Sequence, residues 1–244
     1  MEITTRMVGI PGDGAPMNTY IAEPKAYGTF PVVLIFMHGL GIDAWVKKTA
    51  ERFASEGYVA VVPNVYYRKG KDTVFAMGDP RIMPTLNGMV DAQTNADVRT
   101  AIDYIKTMSK ARADKIACTG YCMGGTLSWL AACLNRDIKA AAIYYSGGII
   151  TRQTSKERPI SPHAYAELLT APILGCFGET DQNPSPADVR EVEAEMKRLG
   201  KVHDFKIYPG VGHAFACDAR PPAYNREHAE DAWKRTFAWF KKYL

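Results

Sequence analysis

Cysteine 122 stands in the run Gly120-Tyr121-Cys122-Met123-Gly124. A nucleophile carried on so sharp a turn strains the backbone, and the positions two residues away must lack bulk. A strand over 115–119 is expected to feed the turn and a helix over 126–134 to leave it. That G-x-nucleophile-x-G arrangement lifts a side chain above the carboxyl edge of a sheet. The start of the next helix offers backbone N–H groups and positive potential, which favour a thiolate and an oxyanion. The rival reading is a small buried cysteine in a glycine-rich turn, and the residues downstream weigh against it.

A nucleophile of this kind needs a base and an acid that orients it, in the chain order nucleophile, acid, histidine. Past a strand at 172–177 comes Gly178-Glu179-Thr180-Asp181-Gln182, where Asp181 is the expected acid and Glu179 the runner-up. Asp188 reads instead as an acid in the first turn of a helix. Past a strand at 203–208 comes Gly210-Val211-Gly212-His213-Ala214-Phe215, and His213 is the expected base. His203 begins a strand, His228 lies on a helix, and His163 sits in a proline-containing loop. The first long strand ends at His38-Gly39, so the N–H groups of Gly39 and Met123 are the expected oxyanion hole. Around them, His38, Tyr66, Tyr67, Arg68, Arg81 and Phe215 are candidates for contact with a substrate, with Phe75 and Met77 also in the region.

The elements that must hold these residues alternate. Residues 31–37 form a continuous apolar run, as in a strand buried on both faces. A helix over 43–56 follows, capped by Asp43 and stopped by Gly57, and then a strand over 58–62. Residues 17–22 read as a strand near the sheet edge. The stretch 64–90 is too long and too rich in glycine and proline for a plain connection, and is expected to be a lid or binding loop. A helix over 91–108 and a strand over 140–145 follow, with a loop at 146–171. Ser185-Pro186 opens another helix, and 226–240 is the last one. The pattern predicts a single α/β domain over 1–244, with a mostly parallel sheet and helices on both faces.

Composition narrows the function classes. The 244 residues carry a net charge of +4 with scattered basic residues, which argues against nucleic acid as a partner. The five cysteines include no C-x-x-C, against a disulfide framework and a zinc site. No apolar leader or membrane-length stretch is visible, so a reducing cytoplasm is expected. The expected partner is a small molecule, with no cofactor and no metal, and the chain is expected to be a monomer or a small homo-oligomer.

Gly-Tyr-Cys-Met-Gly-Gly at 120–125, Val-Pro-Asn-Val-Tyr-Tyr-Arg at 62–68 and Gly-His-Ala-Phe at 212–215 resemble the dienelactone hydrolase family of α/β-hydrolases. Tyr224-Asn225 and Ala229-Glu230-Asp231-Ala232-Trp233 are similar too, so the likeness spans roughly residues 15–244. The resemblance implies a Cys-Asp-His triad at Cys122, Asp181 and His213, a compact domain and no cofactor. Two departures stand out. Where the family's type enzymes carry a glutamate that helps to hold the resting thiol neutral, this chain has His38. Where they carry an arginine for the substrate carboxylate, shortly after the Gly-His-x-Phe motif, it has Cys217, which counts against dienelactone itself; Arg68 and Arg81 are candidate replacement cations, with a solvent-facing arginine as the favoured rival reading.

The chemistry expected of this set is hydrolysis of an ester or lactone through a thioester acyl-enzyme. Activity is expected to rise through a pKa in the neutral region as the Cys122–His213 pair reaches its reactive form. Two rival readings are a cysteine-dependent acyltransferase and a binding or regulatory protein that kept the fold. The first would need an acceptor; the second would leave ester hydrolysis unchanged in Cys122→Ala.

Overall fold

The computed structural model describes residues 1–244. Its strands are β1 (Ile3–Ile10), β2 (Met17–Pro24), β3 (Phe30–Phe36), β4 (Val59–Pro63), β5 (Ala111–Tyr121), β6 (Ile138–Tyr144), β7 (Ile173–Gly178) and β8 (His203–Tyr208). The helices are α1 (Ala44–Ser55), α2 (Ile82–Asn87), α3 (Asp91–Thr107), α4 (Met123–Leu134), α5 (Pro186–Arg198) and α6 (Arg226–Tyr243). One eight-stranded sheet runs β1-β2-β4-β3-β5-β6-β7-β8. Its last six strands in that order are parallel, and β1 and β2 join antiparallel at one edge.

Three strands in or beside the centre of the sheet carry no polar side chain in their buried runs. Val32–Phe36 of β3 and all of β4 and β7 are shielded from water, as two-sided cover by helices requires. On α1, Trp45, Val46, Thr49, Ala50, Phe53 and Ala54 face inward, the stripe that a period of 3.6 produces. Asp43 caps this helix by accepting the Val46 N–H at 2.9 Å, and α5 starts with a full capping box between Ser185 and Asp188. Asp188 is thereby committed to its helix, as its position in the sequence suggests.

Three differences from the sequence reading have physical causes. Strand β1 was not expected; its outward residues Thr4, Thr5, Arg6 and Met7 break the apolar pattern, and pairing along the whole of β2 is what makes it a strand. Helix α4 begins at Met123 rather than at 126, because the chain passes from strand to helix within one residue. The 64–90 stretch contains α2 and a short turn of 3-10 helix at Tyr67–Lys69, and Phe75 N–H donates to Leu40 O at 2.8 Å.

All the loops singled out by chemistry leave the same edge of the sheet. The register pairs Phe36 with Gly120, Tyr121 with Tyr144 and Gly178 with Tyr208, so the carboxyl ends of β3, β5, β7 and β8 are level. Glycines allow the close approaches there. A Cβ on Gly124 would stand 2.3 Å from Phe36 O and 2.6 Å from Met37 O, both backbone atoms that cannot step aside. Gly124→Ala is therefore expected to cost about 3 kcal/mol or more and to lower Tm by roughly 6–12 °C, as read by thermal unfolding.

Candidate active site

Cys122 occupies the single residue between β5 and α4, with φ 58° and ψ −123°. A non-glycine residue in that region carries roughly 1–3 kcal/mol of strain, which the surrounding structure must hold in place. The glycines hold it: a Cβ on Gly120 would lie 2.1 Å from Gly124 O, and one on Gly125 would lie 2.5 Å from Ser146 Oγ. Cys122 N–H donates to Tyr144 O at 3.1 Å, which fixes the turn to β6. The residue is half-buried, whereas Cys118, Cys133, Cys176 and Cys217 are buried.

His213 stands beside the Cys122 sulfur, near enough for each to shift the other's pKa, and its Nδ1 lies 2.8 Å from Asp181 Oδ2. Asp181 is buried, and its Oδ1 accepts the Asn183 N–H at 2.9 Å. The acid-bearing and histidine-bearing loops are laced together, with Thr180 N–H donating to Val211 O at 2.9 Å. Gly178 permits this, because a Cβ there would stand 2.5 Å from Val211 O. Glu179 faces the other way and accepts the Gly210 N–H at 2.9 Å. Between the two acids, geometry brings only Asp181 to the imidazole.

The electrostatics favour a charged pair. Burial pushes the Cys122 thiol up, but the His213 hydrogen bond, the His213 charge and the N–H groups of Met123 and Gly39 together bring it below the ordinary thiol range. Burial works against charge on His213 as well, yet hydrogen bonds to Asp181 and Cys122, with their charges, raise it to about 10. The two N–H groups expected of an oxyanion hole, those of Met123 and Gly39, are thus both near enough to the sulfur to lower its pKa.

Other candidates fall into two groups. Tyr66 belongs at the site: its hydroxyl lies 3.1 Å from Gly39 O and 3.4 Å from Met123 Sδ. Its neighbours do not share its place. Tyr67 Oη donates to Asp97 at 2.9 Å and accepts the Asp13 N–H, while Arg68 forms a two-pronged pair with Asp97 on α3. Phe215 is fully buried against Tyr145 and Tyr208. Tyr67, Arg68 and Phe215, expected as substrate contacts, thus direct these bonds and ring contacts at the fold. Arg81 is exposed and clamped by Asp79, with its guanidinium over the Phe75 ring, and Met77 is exposed. His38 is buried against the Trp45 ring, and its Nε2 lies 2.9 Å from Asp43 Oδ2, short in distance but off the line of a well-formed hydrogen bond. Its nearest ionisable neighbour is therefore Asp43, the cap of α1.

Sequence reasoning missed Ile82 and Leu86, whose side chains lie 3.6 Å from where a Gly39 Cβ would be. Their i, i+4 spacing is a signal, but a six-residue helix containing Pro84 is too short for periodicity to reveal. It also missed Tyr145, which packs 5.1 Å beneath the His213 ring with φ 35°; nothing in its sequence neighbourhood marks it.

A model of the dienelactone hydrolase family matches residues 17–244. The chain belongs to the dienelactone hydrolase family. It is 33% identical over 236 residues to a protein of Methylorubrum extorquens named "Putative carboxymethylenebutenolidase", covering 97% of this chain and 80% of that one. A Synechocystis protein of the same name is 30% identical, covering 100% of this chain and 99% of its own. Among solved structures, one titled "Putative Dienelactone Hydrolase" from Klebsiella pneumoniae superposes with a TM-score of 0.92 at 30% identity, covering both chains completely. The chain is accordingly a hydrolase with the α/β-hydrolase fold, and no helix in it is long and apolar enough to cross a membrane.

The charged pair makes a pH prediction that differs from a rise through neutrality. With the Cys122 pKa lowered and that of His213 raised to about 10, the thiolate–imidazolium form is populated between the two titrations, which belong to the pair. Alkylation of Cys122 by iodoacetamide should therefore already be fast at pH 7, with its midpoint below the ordinary thiol range. His213→Ala removes the two largest lowering influences, leaves burial dominant and should move the midpoint upward. An unchanged midpoint in His213→Ala would show that the pair does not exist.

Proposed function

We propose that the protein hydrolyses a neutral carboxylic ester or lactone through a thioester acyl-enzyme, with Cys122 as nucleophile, His213 as acid and base, and Asp181 as its orienting partner. The observation that carries this reading is the 2.8 Å contact from Asp181 to His213, beside a half-buried Cys122 whose pKa is lowered by that imidazole and by two backbone N–H groups. Hydrolysis through a thioester accounts for each member of that arrangement.

The Cys122 thiolate attacks the substrate carbonyl carbon. Its charge passes to the carbonyl oxygen, and the N–H groups of Gly39 and Met123, which steadied the sulfur at rest, now serve the oxyanion. Collapse breaks the bond to the leaving oxygen, which takes the imidazolium proton and departs as an alcohol, or stays attached when the substrate is a lactone. Forming the thioester removes the sulfur's charge and its hydrogen bond to His213. Only Asp181 then opposes the effect of burial, so the imidazole pKa falls and the ring, now neutral, accepts a proton from water. Hydroxide adds to the thioester, the C–S bond breaks, and thiolate, imidazolium and free acid result.

Several features support a neutral acyl group. Arg81 and Arg158 are gripped by Asp79 and Asp91, and Arg68 by Asp97 with Asp13 beyond it at 3.8 Å, so their charges are met within the protein. Apolar side chains, Ile82 and Leu86, cover the Gly39 side. Four buried thiols and one half-buried thiol, all free, are suited to a reducing cytoplasm.

With p-nitrophenyl acetate as substrate, Cys122→Ala should lose at least about a thousandfold in rate, and wild type should release free acid with no thiol or alcohol acceptor. Equal rates in the two proteins would remove Cys122 as nucleophile and favour a binding role; a requirement for an acceptor would favour acyl transfer. A second measurement tests the substrate class. kcat/KM for p-nitrophenyl butyrate should exceed that for the mono-p-nitrophenyl ester of succinic acid by about tenfold or more, since the free carboxylate would lose water without gaining a partner. The reverse order would restore an anionic substrate.

A further inference from the structure

Of the two N–H groups at the Cys122 sulfur, that of Met123 is fixed by the start of α4, whereas that of Gly39 lies in a loop beyond the end of β3. Glycine has no side chain to restrict its backbone. A Cβ at Gly39 would meet Ile82 and Leu86 only at ordinary contact distance, 3.6 Å, so sterics do not aim this residue. Hydrogen bonds must do so. On its near side, His38 O accepts the Gly41 N–H at 3.0 Å. Because the peptide is planar and trans, this points the Gly39 N–H the opposite way, toward the sulfur. On its far side, Gly39 O accepts one hydrogen bond, from the Tyr66 hydroxyl at 3.1 Å.

The same hydroxyl touches Met123 Sδ at 3.4 Å. One buried oxygen therefore contacts both residues that supply the hole. Tyr66 is itself held: its N–H donates to Asn64 Oδ1 at 3.0 Å, Asn64 donates to Lys71 O at 3.0 Å, and Phe75 packs on its ring at 5.8 Å. Phe75 in turn bonds the next residue of the loop, Leu40.

We propose that Tyr66 is a positioning residue that sets the Gly39 half of the oxyanion hole and holds it in register with the Met123 half. The proposal rests on the hydrolytic reading for its kinetic consequence, while its effect on the sulfur is independent of that reading. Without the hydroxyl, Gly39 O is left buried and unmatched, the Gly39–Leu40 peptide turns to find a partner, and the compensating rotation about the Gly39 backbone tilts the neighbouring His38–Gly39 peptide, so that the Gly39 N–H drifts from the line to the sulfur and to the oxyanion alike.

The test is Tyr66→Phe, with Tyr20→Phe as control; Tyr20 donates a comparable hydroxyl bond to Glu51 at 2.6 Å on the far side of the sheet's antiparallel edge. For each variant, Tm, the steady-state constants with p-nitrophenyl acetate and the pH midpoint of Cys122 alkylation are measured, with Cys122→Ala as the alkylation blank. Tyr66→Phe is expected to lose about tenfold in kcat, less than outright removal of a donor, with KM within about twofold. Its alkylation midpoint is expected to rise by about 0.5 in pH, because the thiolate loses an aligned donor. The control is expected to lower Tm while leaving kcat and the midpoint in place. An unmoved kcat and an unmoved midpoint in Tyr66→Phe would overturn the proposal whatever happens to Tm, as would equal changes in the control. Should Cys122→Ala retain wild-type hydrolysis, the hydrolytic reading falls by itself and the alkylation midpoint alone decides the role of Tyr66.

Discussion

The site depends on a cysteine backbone forced to φ 58° at the junction of β5 and α4. No local preference favours that conformation. It persists because Gly120, Gly124 and Gly125 let helix α4 press against β3, β5 and β6 at backbone distance, and because those strands are too well buried to yield. The sulfur's position is therefore a property of sheet packing rather than of a mobile loop. The partner loops are then placed by register, since β3, β5, β7 and β8 end level with one another. Ligand sites outside the carboxyl ends of parallel strands follow from this construction.

Placement alone does not make a reactive thiol. Burial disfavours charge on both Cys122 and His213, and an isolated cysteine in the same cleft would be an inert hydrophobe, as burial leaves Cys118 and Cys133 with pKa values raised far above the ordinary range. What differs at Cys122 is that each opposing effect is met by a hydrogen bond of fixed direction. His38, with its Nε2 2.9 Å from Asp43 and its ring against Trp45, couples the end of β3 to the start of α1, while the lowering influences on the sulfur come from His213 and the two N–H groups.

Much of this was legible in the sequence for a specific reason: the elbow and the Gly-flanked histidine use residues whose type is dictated by backbone geometry, so that composition reports conformation. The parallel strands were legible because two-sided burial writes itself as unbroken apolar runs. The choice of Asp181 over Glu179 was weaker on sequence grounds, since both sit within four residues of a strand end, and only the lacing of two loops separates them. Tyr66, Tyr67 and Arg68 are consecutive, yet one reaches the sulfur's surroundings and the other two face α3; an irregular segment has no period from which to read direction. Strand β1 was illegible because an edge strand's stability comes from its neighbour, and α2 because six residues are too few for a pattern.

The distribution of the five sulfurs carries one last consequence. Four are buried, on β5, α4, β7 and the loop before α6, three of them with burial raising their pKa far above the ordinary range, and only the fifth is partly open to solvent with its pKa lowered. Oxidants such as peroxide attack thiolates and reach only exposed ones. With Cys122 as the proposed nucleophile, oxidation there would silence the chain at one atom while its architecture stayed whole, and a thiol reductant would restore it so long as oxidation had gone no further than the sulfenic stage.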